Sequence, residues 1–121
     1  LIAKKYNEYF EEIDHIKIPP VRKNCYHAYH LYPLLIDFKK LNLDKSSLMN
    51  HFLKNNFRLQ VHYKPIHTYR LYKKLFKFKN NDFPASLKFF NDEISLPIFP
   101  GLSNDIQSKF IDLFDKFLKS K

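Results

Sequence analysis

The sequence predicts an α+β fold in which a small antiparallel or mixed sheet carries helices packed on one face. Three observations lead to that expectation. A chain of 121 residues, 45% hydrophobic and 17% aromatic, suits one domain with a single modest core. Apolar residues recur at three- and four-residue spacing in some segments and alternate in others, so helices and strands are interleaved. Prolines and a single glycine, Gly101, punctuate the places where those patterns stop.

The opening LIAKKYNEYFEEIDHI puts Ile2, Tyr6, Phe10 and Ile13 on one face of an amphipathic helix. That helix starts in mid-pattern with no Ser, Thr, Asp or Asn cap, as a piece of a longer protein would. Residues 1–18 are therefore read as a connecting helix and linker, and 19–121 as the domain proper. Pro19 and Pro20 break the pattern, after which RKNCYHAYHLYPLLIDF (Arg22 to Phe38) reads as a long strand rich in Tyr, Leu and Ile. Asp44 is placed to cap a helix with Leu48, Phe52 and Leu53 on one face. The segment RLQVHY alternates, with Leu59, Val61 and Tyr63 on one side and Arg58, Gln60 and His62 on the other, until Pro65 ends the ladder.

Thr68 is expected to cap a short helix through Leu71, Leu75 and Phe76. Asp82 and Pro84 introduce another helix over PASLKFFND. ISLPIFPGL holds too many prolines for a central strand, which predicts a brief edge strand and a turn at Gly101. The last helix has Ser103 as its cap and Asp105 near its positive end. Ile106, Phe110, Leu113, Phe114, Phe117 and Leu118 form its apolar stripe, and Lys116, Lys119 and Lys121 complement its negative end.

Composition excludes several functions. No apolar run approaches the ~20 residues needed to span a bilayer, and nothing at the start resembles a signal peptide. The lone cysteine, Cys25, has no partner for an internal disulfide, so a cytoplasmic location and no membrane partner are expected. One glycine is too few for a dinucleotide or P-loop fingerprint. The net charge of +9 raises nucleic-acid binding, yet only three of the 21 basic residues are arginines, and the lysines are scattered. No nucleic-acid partner is expected. A stand-alone basic module for nucleic acid or an acidic protein is the alternative reading.

Few residues group for chemistry. His27 and His30, three apart on the expected strand, would point to opposite faces and could not share a metal. No metal site is expected. Cys25 near His27 lacks the convergent geometry of a nucleophilic pair. Asp92 and Glu93, read as neighbours on a helix, would point apart. The stretch QVHYKPIH differs, because Gln60, Val61, His62, Tyr63, Lys64 and His67 leave a strand end past a stiff proline. Spacing alone supports equally a binding rim and a packing role, with Tyr63 in the core and His67 capping a turn.

Three segments together carry a resemblance. YHLYPLLID (Tyr29 to Asp37), VHYKPIH (Val61 to His67) and FPASLKFFNDEISLPIFPGLS (Phe83 to Ser103) resemble the carboxy-terminal third of the DegT/DnrJ/StrS-type sugar-nucleotide aminotransferases. Order and spacing match over essentially the whole chain; one departure is Ser86, where relatives often carry Glu. HLYPLLID with VHYKPIH looks most like the branch that makes pseudaminic-acid precursors by moving an amino group from glutamate to C4 of a UDP-linked 4-keto-6-deoxy-N-acetyl sugar.

The resemblance implies the small domain of a fold-type I, pyridoxal-5'-phosphate enzyme that works as a homodimer. It makes Gln60, Val61, His62, Tyr63, Lys64 and His67 candidate contacts for the nucleotide sugar. It places the lysine that holds the cofactor in a large domain outside these residues. On that reading no catalytic or cofactor-binding residue lies in this chain, and the chain alone is inactive.

Overall fold

A computed structural model describes residues 1–120, apart from the side chain of Asn80. The elements run α1 Ile2–Phe10, β1 Ile16–Lys17, β2 Tyr32–Ile36, α2 Lys45–Lys54, α3 Arg70–Phe76, α4 Pro84–Asp92, β3 Glu93–Leu96 and α5 Asn104–Lys119. Short 3₁₀ turns occupy Ile66–Thr68 and Asn80–Asp82. The strands form a three-stranded antiparallel sheet in the order β1-β2-β3. The expected α+β fold is thus observed, with an antiparallel sheet.

Strand periodicity explains the core. Tyr32 lies opposite Leu96 and Leu34 opposite Ile94, so these four and Ile36 share the buried face of the sheet. Helices α1, α2 and α5 cover that face with aromatic side chains. The Tyr6 ring lies 5.1 Å from Tyr32, Phe10 meets Phe114 edge-on at 4.9 Å, and Phe52 stacks on Phe110 at 4.6 Å. Polar contacts fix α1 along α5: Lys5 Nζ donates to Ser108 Oγ at 2.6 Å, and Gln107 Nε2 donates to the Ile2 carbonyl at 2.8 Å.

The helix starts follow the expected chemistry. Asp44 Oδ2 accepts the Ser47 N–H at 2.6 Å, and Ser103 Oγ accepts that of Ile106 at 3.3 Å. α1 has no side-chain cap. Gly101 takes a φ of +91°, a conformation L side chains rarely adopt, at the expected turn. Lys121 lies outside the described residues.

Three local expectations need correction. The long strand shrinks to Tyr32–Ile36, because the backbone turns left-handed at Asn24 and Tyr29 and the Tyr29 N–H donates to His27 Nδ1 rather than to a ladder. The RLQVHY strand reduces to one bridge, Gln60 opposite Ser95; Leu59 is buried, but Tyr63 is 71% exposed. The ISLP segment keeps its expected place: β3 is the outer strand of the order β1-β2-β3, with one isolated bridge to Gln60 on its free side, and Pro97 and Pro100 fall beyond its last residue. Thr68 donates to the Pro65 carbonyl instead of capping α3. Leu53 and Ile106 are also exposed, each one residue off the buried stripe, beside Phe52 in α2 and Gln107 in α5.

Burial pushes the Tyr6 and Tyr32 phenols well above the ordinary tyrosine value of 10.0, with neighbouring Tyr29, Tyr6 and Glu11 adding to the effect at Tyr32. A raised folded-state pKa stabilises fully below the unfolded value, and that stability is lost as pH rises beyond it. Denaturant midpoints should therefore hold through neutral pH and fall above pH 10.0. Tyr6→Phe removes the 2.9 Å bond to the Pro97 carbonyl. It should cost about 1 kcal/mol at neutral pH and flatten the alkaline decline; an unchanged alkaline limb would contradict this assignment.

Candidate functional site

The site grows from the edge of β3. Ser95 N–H donates to the Gln60 carbonyl at 2.8 Å, which seats the 58–62 segment beside the strand. Because strand residues alternate, Ile94 and Leu96 enter the core while Glu93 and Ser95 face the other way. His62 lies over that second face. Its backbone N–H donates to Glu93 Oε2 at 3.0 Å, and its Nδ1 lies 2.7 Å from Ser95 Oγ. Ser95 Oγ in turn donates to Glu93 Oε1 at 2.5 Å. Glu93 is fully buried, and both carboxylate oxygens are satisfied.

The junction between α4 and β3 is held by Lys45. Its Nζ donates to the carbonyls of Phe90 and Glu93, both at 2.6 Å, and lies over the Phe90 ring. Burial lowers the Lys45 pKa below the ordinary lysine value, while Glu93 and Asp92 act in the opposite direction.

Two cavities are lined by residues of the 60–67 segment. The first, about 260 Å³, is lined by His30, Arg58, Gln60, His62, Ser95 and Phe99 among others. The second, about 430 Å³, is lined by Tyr63, Lys64, Pro65, Ile66, His67 and Phe83 among others. The sequence-derived candidates are therefore divided: Gln60 and His62 open on the first cavity, and Tyr63, Lys64 and His67 on the second. Val61 lines neither. The His62–Tyr63 peptide is cis, and the two rings meet edge-on at 4.6 Å. Lys64 Nζ sits 5.3 Å above the Tyr69 ring, and buried His67 packs its ring 4.8 Å from Phe83.

Arg58 supplies the first cavity with a fixed positive charge, and Gln60, His62 and His30 supply polar groups able to meet hydroxyls. The second cavity is mostly apolar with an exposed phenol and an ammonium at its mouth, a surface suited to a ring with a charged substituent. Among the described residues, no three His, Cys, Asp or Glu side chains are grouped to hold a metal.

Sequence reasoning missed Glu93 and Ser95. It read Glu93 as a helical neighbour of Asp92, whereas α4 ends at Asp92 and Glu93 opens β3. The alternation of Glu93 and Ser95 with Ile94 and Leu96 was the available signal. His30 was assigned to a strand face and instead lines the first cavity from an irregular segment.

Residues 1–114 match the model of the DegT/DnrJ/EryC1/StrS aminotransferase family. The chain is 34% identical over 106 residues to the spore coat polysaccharide biosynthesis protein SpsC of Bacillus subtilis, covering 86% of this chain and 27% of that one. It is 34% identical over 102 residues to the UDP-4-amino-4,6-dideoxy-N-acetyl-beta-L-altrosamine transaminase of Campylobacter jejuni, covering 79% of this chain and 25% of that one. Among solved structures, Helicobacter pylori PseC, an aminotransferase of pseudaminic acid biosynthesis, superposes with a TM-score of 0.85 at 27% identity, over 99% of this chain and 32% of that one. The chain thus spans about a quarter of the length of these curated relatives.

The family depends on pyridoxal phosphate. A lysine that holds this cofactor needs an available amine with a depressed pKa. Lys45 has the depressed pKa, but its ammonium is committed to two carbonyls, and Lys88 is paired with Asp92. These residues do not fit the role of cofactor anchor.

Replacing Lys45 with methionine leaves two carbonyls at the α4–β3 junction without their donor. Urea denaturation should show a loss of about 1–3 kcal/mol, and a neutral effect would mean that Lys45 does not hold the junction.

Proposed function

The chain belongs to the DegT/DnrJ/EryC1/StrS aminotransferase family, and we propose that it is the carboxy-terminal small domain of a pyridoxal-phosphate-dependent sugar-nucleotide aminotransferase. Residues 1–18 form the connecting helix and linker, and 19–121 the domain. The observation that carries the reading is the placement of the 60–67 segment: it is held to the β3 edge at Gln60 and His62 and contributes to both cavities. The cofactor supplies the electron sink for amino transfer when bound elsewhere in the enzyme.

The residues here bind and orient the substrate. Arg58 and Lys64 neutralise its diphosphate, while Gln60 and His62 hydrogen-bond sugar hydroxyls. Tyr63 stacks on a ring of the substrate, and His67, packed on Phe83, supports the wall of the second cavity. The substrate is a UDP-linked 4-keto-6-deoxy-N-acetyl sugar and the donor glutamate, a reading supported by the name of the Campylobacter jejuni relative and by the likeness to PseC. The enzyme acts as a cytoplasmic homodimer.

In the complete enzyme, Tyr63→Ala should raise KM for the nucleotide sugar about tenfold, the scale of one lost ring-stacking contact, with kcat changed little. Cofactor absorption should be unaffected. A variant that loses cofactor absorption, or keeps a normal KM, would remove Tyr63 from the nucleotide-sugar site.

A further inference from the structure

Serine has one hydroxyl proton, and the position of that proton decides the state of a histidine. Ser95 Oγ is 2.5 Å from Glu93 Oε1 and 2.7 Å from His62 Nδ1. An ionised carboxylate only accepts, so the serine proton goes to Glu93, and Oγ can only accept from Nδ1. Both oxygens of the Glu93 carboxylate act as acceptors in the structure: the Ser95 hydroxyl donates to Oε1 and the His62 backbone N–H to Oε2. Nδ1 therefore carries a proton whether the imidazole is neutral or charged. Nε2 has no partner among the described residues, and it is not buried, since no buried side-chain nitrogen or oxygen there lacks one.

We propose that buried Glu93, acting through Ser95, fixes His62 in its Nδ1–H tautomer and so presents Nε2 to the first cavity as a hydrogen-bond acceptor for a ligand hydroxyl. Glu93 and Ser95 are positioning residues, since neither needs to touch the ligand. The free imidazole favours the opposite tautomer in water, so the arrangement is imposed by the fold. Identifying the hydroxyl as one on the sugar of a nucleotide sugar rests on the aminotransferase reading; the tautomer does not. The Arg58 guanidinium on the same cavity fits this ligand class, which pairs hydroxyls with a phosphate charge.

The geometry makes an unusual variant informative. In Glu93→Gln the amide oxygen still accepts the His62 backbone N–H, but its NH₂ now donates to Ser95 Oγ. The serine hydroxyl, no longer drawn to a carboxylate, is then free to donate to Nδ1, which shifts the histidine proton to Nε2. One nearly isosteric change reverses what the cavity sees.

Long-range ¹H–¹⁵N correlation spectra of the histidine-labelled chain, recorded at mildly alkaline pH where imidazole is neutral, test this directly. In the unsubstituted chain, His62 should show a protonated Nδ1 and a pyridine-like Nε2. The reverse pattern, or a rapidly averaging one, overturns the proposal, and this measurement needs no variant to fold. Glu93→Gln should invert the pattern, Ser95→Ala should release it to averaging, and Ser95→Thr should restore it. A folded Glu93→Gln variant that keeps the native pattern also overturns the proposal.

In the complete enzyme, Glu93→Gln should raise KM for UDP-linked sugar about tenfold, as expected when an acceptor becomes a donor facing a hydroxyl hydrogen-bonded elsewhere, while leaving cofactor absorption unchanged. An unchanged KM overturns the ligand-facing part. Should the complete protein lack aminotransferase activity while the tautomer stands, it is the functional reading that fails and not the Glu93–Ser95–His62 relay.

Discussion

Antiparallel pairing of β2 with β3 is the constraint on which the rest of the structure depends. It aligns Tyr32 with Leu96 and Leu34 with Ile94, and a shift of one residue would turn all of these side chains to the wrong face. The register thus does two jobs in one step. It gives α1, α2 and α5 an apolar surface on which to pack their aromatic stripes. It also forces Glu93 and Ser95 onto the opposite face, where a polar assembly with His62 becomes possible.

That opposite face shows how a buried acid is accommodated. Removing a carboxylate from water is expensive unless its oxygens find donors, and Glu93 finds one on each oxygen. The segment supplying one of them, through the His62 backbone, is not held by a regular ladder but by a single bridge at Gln60. Glu93 and the bridge together anchor the 58–62 segment, and everything beyond it, from Tyr63 to His67, is positioned from that anchor. Membership of the aminotransferase family gives the arrangement a purpose: a rigid strand edge carries a polar loop to where a substrate is proposed to rest.

Much of the fold was legible in the sequence. The caps at Asp44 and Ser103, the stripe of Phe110, Phe114 and Phe117, and the turn at Gly101 are local chemistry, so local patterns reveal them. Misreadings arose where distant partners overrode local preference. Arg22 to Phe38 look strand-like because they are rich in Tyr, Leu and Ile, yet no neighbouring strand pairs with Arg22 to His30 among the described residues. The RLQVHY run alternates like a strand, yet only Gln60 finds a bridge partner, at Ser95. The six candidate residues at 60–67 were found by sequence as a single cluster. The tertiary structure divides five of them between two cavities and leaves Val61 on neither, a division that composition does not contain.

The amino-acid sequence by itself determined the main helices, the caps at Asp44 and Ser103, the turn at Gly101 and the family motifs, because each depends on residues close together in the chain. Only the tertiary structure decided that Glu93 is a buried acceptor rather than a surface acid. It alone brought Ser95 and His62 into hydrogen-bond contact across 33 positions of chain, and it alone joined Lys45 to the end of α4. A hydrogen bond needs two groups within about 3 Å of each other, and which groups meet at that distance is set by strand register and packing, not by neighbours in sequence.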